Sequence, residues 1–87
     1  MSKRLLVAEQ WDSFARAILP EGCPAIQRQE MRRAFYGGAQ GLFYALLKVL
    51  DSGLDPSLEP TEGDLAMLGG IERELSDFAE SVKAGRA

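Results

Sequence analysis

The sequence contains no histidine and one cysteine among its 87 residues. Histidine is the usual general base at neutral pH and a common metal ligand, so its absence excludes Ser-His-Asp and Cys-His nucleophiles. The single cysteine, Cys23, cannot form an internal disulfide, and zinc sites of the Cys/His type need several such ligands. We therefore predict a non-enzymatic protein with no catalytic residues, no metal and no cofactor. The cysteine count also favours a reducing, cytoplasmic compartment.

Long apolar segments are also missing. The best candidate, residues 34–47, is interrupted by Gln40 and would span only about 21 Å as a helix, against a hydrocarbon core of roughly 30 Å. Near the start, Glu9 and Asp12 occur before an apolar run long enough for a signal peptide develops. We expect neither a membrane-spanning segment nor secretion.

The composition is that of a folded domain. Hydrophobic residues make up 46% of the chain and charged residues 26%, with a net charge of −3. This length allows one small domain, residues 1–87. No segment alternates with a period of two, so we predict an all-α fold with helices at about 3–19, 25–50 and 62–84 and an acidic linker at 51–61. The expected arrangement is a long antiparallel hairpin of the second and third helices, with the shorter first helix packed on it.

Apolar residues recur at helical spacing in all three segments. The second helix carries two neighbouring apolar stripes between residues 34 and 50, which predicts a central, buried helix. Ser2 is a candidate N-cap for the first helix, and Thr61 with Asp64 resembles a capping box for the third. The third helix has a heptad seam with spacings of 3, 4, 3 and 4. This seam comprises Leu68, Ile71, Leu75, Phe78 and Val82.

Three glycines, Gly37, Gly38 and Gly41, lie in the middle of the second helix. Each costs about 0.5–1 kcal/mol relative to alanine, so a compensating contact is expected. Three interpretations remain: packing against the aromatic residues of the first helix, Trp11 and Phe14, a crossing between two copies of the chain, or a kink. The many apolar side chains in so short a chain favour a homodimer. The candidate residues for a helix crossing in this dimer are Gly37, Gly38, Gly41 and Tyr44.

Charge is divided unequally along the chain. Residues 1–50 carry seven basic and four acidic side chains, and residues 51–87 carry three and nine. Arg28, Arg32 and Arg33 lie near the start of the second helix, where the helix dipole disfavours positive charge. They would either pair with Glu30 or the acidic third helix, or bind a partner. Together with Tyr36 they form the candidate partner-binding site, because Arg and Tyr are common interface anchors.

The linker has some features of a calcium loop. Acidic residues occupy the first, fifth, ninth and twelfth places of residues 51–62. Two departures count against calcium: Gly53 offers no ligand at the third place, and Pro56 replaces the glycine at the sixth. We therefore predict a solvated acidic linker without a metal.

Residues 26–39 resemble a motif in small helical proteins of tailed phages and prophages. The resemblance extends to Trp11, Phe14, Leu19 and Pro20 upstream, and to Glu72, Glu74, Leu75 and Phe78 near the end. Such proteins are mostly of unassigned function, and the resemblance implies a small product that binds a host or phage protein inside a bacterial cell.

The sequence favours one function and leaves an alternative open. The first is a non-enzymatic protein that acts by protein–protein contact, as a homodimer and with a bacterial or phage protein. A host-directed inhibitor, such as a counter-defence protein, is one version of it. The alternative is a small dimeric regulator associated with nucleic acid through Arg28, Arg32 and Arg33, since arginines also bind phosphates.

Overall fold

A computed structural model describes residues 3–53 and 55–87. Its elements are α1 (Leu6–Ile18), α2 (Ala25–Val49) and α3 (Glu62–Lys83), and no strand occurs in these residues. The predicted all-α class with three helices is confirmed. The chain divides into two compact units, Met1–Tyr44 and Ala45–Ala87, here called unit 1 and unit 2, and the boundary lies inside α2.

Helix α1 begins a few residues later than the sequence predicted. Its N-cap residue, Leu5, makes no side-chain capping hydrogen bond, and the predicted cap, Ser2, lies outside the described residues. The exposed Arg4 guanidinium instead binds the Glu9 carboxylate of the first turn, with an N–O distance of 3.0 Å. The helix ends before Pro20, which cannot continue the hydrogen-bond ladder.

Unit 1 is held together by aromatic residues where α1 packs on α2. Trp11 is 4% exposed and Ala15 is equally buried. The Phe35 ring of α2 lies 5.6 Å from Trp11 and 5.3 Å from Phe14, measured between centroids. These separations are typical of stabilising aromatic pairs. The aromatic residues of α1 therefore pack on the N-terminal half of α2.

The prediction that α2 is a buried helix is wrong, and its central position stays a prediction. None of its residues is fully buried. The residues of one stripe are half-buried: Met31, Phe35, Tyr36 and Ala39. Other apolar side chains of the helix are exposed: Leu42, Phe43, Tyr44, Leu47 and Val49. The periodicity identified apolar positions correctly, but burial also requires a neighbouring element that covers each of them.

In unit 2, α3 begins with the predicted capping box. The Thr61 hydroxyl oxygen accepts a hydrogen bond from the backbone N–H of Asp64 at 3.0 Å, and the Asp64 carboxylate accepts one from the N–H of Thr61 at 3.2 Å. Together the two bonds satisfy N–H groups that have no partner within the helix. The start of α3 is therefore determined by four consecutive residues of the sequence.

Asp64 also binds the other end of the linker. Its carboxylate accepts hydrogen bonds from the backbone N–H groups of Asp51 and Ser52, and the side chain is only 2% exposed. The Thr61 hydroxyl donates to the Asp51 carboxylate at 2.7 Å. The side chain of Leu50, which follows α2, is buried as well. The sequence predicted a solvated linker, and most of its residues are exposed. Hydrogen bonds nevertheless join its two ends.

The heptad seam of α3, called the α3 stripe below, is largely uncovered. Leu75 is 62% exposed and Phe78 is 61% exposed, while Leu68 and Val82 are also exposed and Ile71 is half-buried. The antiparallel hairpin of the second and third helices stays a prediction.

Candidate protein-binding surface

Two arginines near the start of α2 lie on aromatic rings. The guanidinium carbon of Arg28 is 5.8 Å from the centroid of the Trp11 ring, and that of Arg32 is 5.1 Å from the centroid of the Tyr36 ring. Both distances allow a cation–π attraction. These contacts offset part of the unfavourable placement of positive charge near a helix N-terminus.

The sequence allowed these arginines to pair with Glu30 or with the third helix. Within residues 3–53 and 55–87, ion pairs form between Arg4 and Glu9 and between Glu80 and Lys83. No arginine near the start of α2 takes part in them. In the described structure, aromatic rings rather than carboxylates are the partners of Arg28 and Arg32.

The structure brings the four predicted binding residues together. The arginine–tyrosine surface comprises Arg28, Arg32, Arg33 and Tyr36, which occupy just over two turns of α2. A shallow depression of about 420 Å³ lies at the helix start and includes Arg28 and Arg32 in its wall, and a smaller one of about 140 Å³ is lined by Arg32, Arg33 and Tyr36. The three arginines are exposed and Tyr36 is half-buried.

Tyr36 connects this surface to an apolar groove between α1 and α2. The groove has a volume of about 340 Å³ and is lined by Val7, Tyr36, Ala39, Gln40 and Phe43. Val7 and Phe43 are exposed despite their apolar side chains. Sequence reasoning missed the groove because helical spacing alone does not show which apolar residues of α1 are covered by a neighbouring helix. A usable signal was the spacing of seven between Tyr36 and Phe43, which places both on one face of the helix.

The three glycines in the middle of α2, called the glycine patch below, face open space. A Cβ atom added at Gly37, Gly38 or Gly41 would meet no atom within 4 Å. The interpretation that these glycines allow close packing against Trp11 and Phe14 is therefore wrong, since both rings pack on Phe35 instead. Tyr44, the fourth candidate crossing residue, is exposed. A crossing of two copies at these positions stays a prediction.

Helix α3 combines an uncovered apolar stripe with acidic flanks. It carries six acidic and two basic residues. At 100° per residue, Glu72 and Glu74 border the α3 stripe on its two sides, while Asp77 lies on the far face. Glu72 and Glu74 are exposed and make no ion pair with any part of the chain that the structure describes.

Asp64 at the start of α3 and Asp55 of the linker both accept hydrogen bonds. Burial raises the pKa of Asp64, but the hydrogen bonds that it accepts from Asp51, Thr61 and Ser52 outweigh burial and leave the pKa below its ordinary value of 3.8. Hydrogen bonds from the backbone and hydroxyl of Ser57 likewise lower the pKa of Asp55. No three Asp, Glu or Cys side chains in the described residues are grouped so that they could hold a metal ion.

Comparison with known proteins adds no relative. No protein-family model matches the chain, and neither a curated protein nor a solved structure matches it. The resemblance of residues 26–39 to phage proteins therefore stays a prediction. None of the helices that the structure describes is long and apolar enough to cross a membrane.

Proposed function

We propose that this protein is non-enzymatic and acts by protein–protein contact through the arginine–tyrosine surface and the adjoining apolar groove. The observation that supports this most is the pair of cation–π contacts, Arg28 on Trp11 and Arg32 on Tyr36. Each contact restricts a long, exposed side chain before binding, which lowers the entropy that is lost when a partner arrives. Arginine and tyrosine are also enriched at the centres of interfaces.

The chemistry of this surface defines the partner. Three guanidinium groups near a helix N-terminus favour carboxylates, and the groove beside them favours apolar side chains. The partner surface would therefore be an acidic segment with an apolar stripe. The phosphates of a nucleic acid would contact the arginines. They would make no favourable contact with the apolar side chains that line the groove, such as Val7 and Phe43.

The biological setting belongs to the same proposal. The resemblance to phage proteins favours action in the bacterial cytoplasm, with a bacterial or phage protein as the partner and inhibition of a host defence as one form of the activity. Self-association to a homodimer is included because so many apolar side chains are exposed. Its contact is either a crossing of two α2 helices at the glycines or the apolar groove of unit 1.

Charge reversal tests the proposal. The variant R28E/R32E/R33E removes the positive surface, and K48E/R73E/R86E changes the net charge equally at exposed positions elsewhere. Each would be tagged and used to capture proteins from a bacterial lysate, and the affinity for each captured partner would then be measured with purified protein. Circular dichroism would confirm that all variants are folded.

We expect the native chain and the control to bind the same partner, and the surface variant to bind it at least about tenfold more weakly, equivalent to roughly 1.4 kcal/mol. Equal binding by all three proteins would remove the surface from the proposal. A gel-shift titration at two salt concentrations tests the alternative. Nucleic-acid binding with a steep salt dependence that is lost in R28E/R32E/R33E would replace the protein partner by nucleic acid.

A further inference from the structure

We infer that the α3 stripe of a second copy occupies the apolar groove, with its acidic flanks against the arginine–tyrosine surface. This inference rests on the proposed function, because it uses the same surface. It names one partner that has the required chemistry, namely the chain itself. Two observations carry it: an uncovered apolar stripe with acidic flanks in unit 2, and an uncovered apolar groove with a basic end in unit 1.

The charges of the two surfaces are complementary. Unit 1 carries six basic and four acidic residues, whereas unit 2 carries four and nine. In unit 2, Glu72 and Glu74 flank the α3 stripe and have no ion-pair partner among the described residues. Arg28 and Arg32 form no ion pair within the described residues either. Contact between two copies would therefore bring together charges that the described chain leaves without opposite partners.

The dimensions of the two surfaces also agree. The α3 stripe runs from Leu68 to Val82, which is about 21 Å along a helix. The binding surface of α2 runs from Arg28 to Phe43, which is about 22 Å. A helix laid along the groove would thus place Leu75 and Phe78, its most exposed apolar residues, against apolar lining while its carboxylates reach the arginines.

Pairing of one α3 stripe with another is less favourable. The stripe covers two heptads, fewer than the roughly three to four that indicate a free-standing coiled coil. It would also bring Glu72 and Glu74 of one copy near acidic residues of the same helix in the other copy. In contrast, a groove with a basic end and a stripe with acidic flanks have opposite charges, and two copies together offer two such pairs.

A charge-swap experiment tests this contact. Variant R28E/R32E/R33E has an acidic surface and an acidic stripe, and variant E72R/E74R has a basic surface and a basic stripe. Light scattering after size exclusion would give the mass of each protein and of their equimolar mixture. We expect the native chain at twice 9.5 kDa, each variant alone at 9.5 kDa, and the mixture again at twice that mass.

Matched controls separate charge from general damage. D77R/E80R makes the same change of charge on the far face of α3 and should leave the dimer intact. L75D/F78D removes the apolar contact and should yield a monomer, whereas Leu58→Asp, at a side chain that is 55% exposed in the same unit, should not. Circular dichroism of each variant would show that the helices are retained.

The masses of the native chain, of the variants and of the mixture decide the inference. A monomeric native chain overturns the inference, as does a dimer that persists in L75D/F78D or a mixture that stays monomeric. If the native chain is monomeric yet still loses its lysate partner on reversal of the arginines, the inference fails while the proposed function stands. If the charge swap restores the dimer but no other protein requires the arginines, the inference holds and the external partner is removed from the proposed function.

Discussion

The backbone N–H of Asp51 donates a hydrogen bond to the side chain of Asp64, thirteen residues further along the chain. Asp64 lies in the first turn of α3, and Asp51 lies just after α2. The same carboxylate completes the capping box with Thr61. The buried Asp64 side chain therefore hydrogen-bonds to both ends of the linker. The linker in unit 2 is for this reason a structural element rather than a free connection.

Stability should fall in acid because of Asp64. Its pKa is lower in the folded protein than the ordinary 3.8, so the ionised form is favoured by folding. The contribution of Asp64 to the free energy of unfolding is fully present at pH values above the ordinary pKa. It disappears as the pH falls through the lower pKa of the folded protein. Thermal unfolding followed by circular dichroism from neutral to strongly acidic pH would show a decline that starts near pH 4.

The variant Asp64→Asn isolates this contribution. It should be less stable at neutral pH and should decline less steeply in acid, because the group that takes up the proton on unfolding is gone. Asp77→Asn removes an exposed carboxylate of the same helix and should keep the steep decline. If Asp64→Asn and the native protein decline in parallel, the assigned role of Asp64 is incorrect.

Replacing Thr61 tests the cap itself. Thr61→Ala loses the acceptor for the Asp64 N–H and the donor to the Asp51 carboxylate. Loss of an N-cap side chain costs about 1 kcal/mol, with about 2 as an upper value. Urea unfolding at neutral pH should show this decrease with an unchanged slope, and Thr61→Ser should recover most of it. A fall of equal size in Thr61→Ser would assign the loss to the missing methyl group.

Trp11 should be the most sensitive residue of unit 1. It is 4% exposed and contacts Phe14 and Phe35, so truncation to alanine should cost about 3–5 kcal/mol. That is a large part of the roughly 5–15 kcal/mol by which a small domain is stable. Thermal unfolding of Trp11→Ala against Ile18→Ala, whose side chain is 58% exposed in the same helix, measures the difference. Equal losses would contradict the packing described for unit 1.

Features that depend on neighbours in sequence were predictable. The capping box of Thr61 and Asp64 spans four residues, and the three helices follow from local periodicity and from the prolines between them. The contact of Arg32 with Tyr36 joins residues four apart on one helix and was accessible to the same reasoning. The four residues of the arginine–tyrosine surface lie within about two turns of one helix, so the helix prediction also placed them close together. Their role in binding stays a prediction.

Features that depend on tertiary packing were not predictable. The contact of Arg28 with Trp11 exists only because α1 packs on α2, and the bond between Asp51 and Asp64 depends on the path of the linker. A periodic pattern marks apolar positions such as Phe78 but does not say whether another element covers them. For that reason the sequence predicted a buried α2, whereas none of its residues is fully buried in the structure.

The glycine patch provides a last prediction that separates two kinds of dimer. Alanine at Gly38 or Gly41 would meet no atom within 4 Å, so each substitution should stabilise α2 by about 0.5–1 kcal/mol. Gly22, with a φ of 80°, is the control, because alanine there is strained and should destabilise the chain. Thermal unfolding would measure these shifts.

Dimer affinity responds differently in the two cases. If the stripe of one copy binds the groove of the other, G38A/G41A raises helix stability and leaves the dissociation constant unchanged, because neither glycine lines the groove. If two α2 helices cross at the glycines, the added methyl groups separate the backbones and weaken the dimer. A dissociation constant measured by sedimentation therefore decides between the groove and the glycine patch, since only the glycine crossing predicts that a more stable helix forms a weaker dimer.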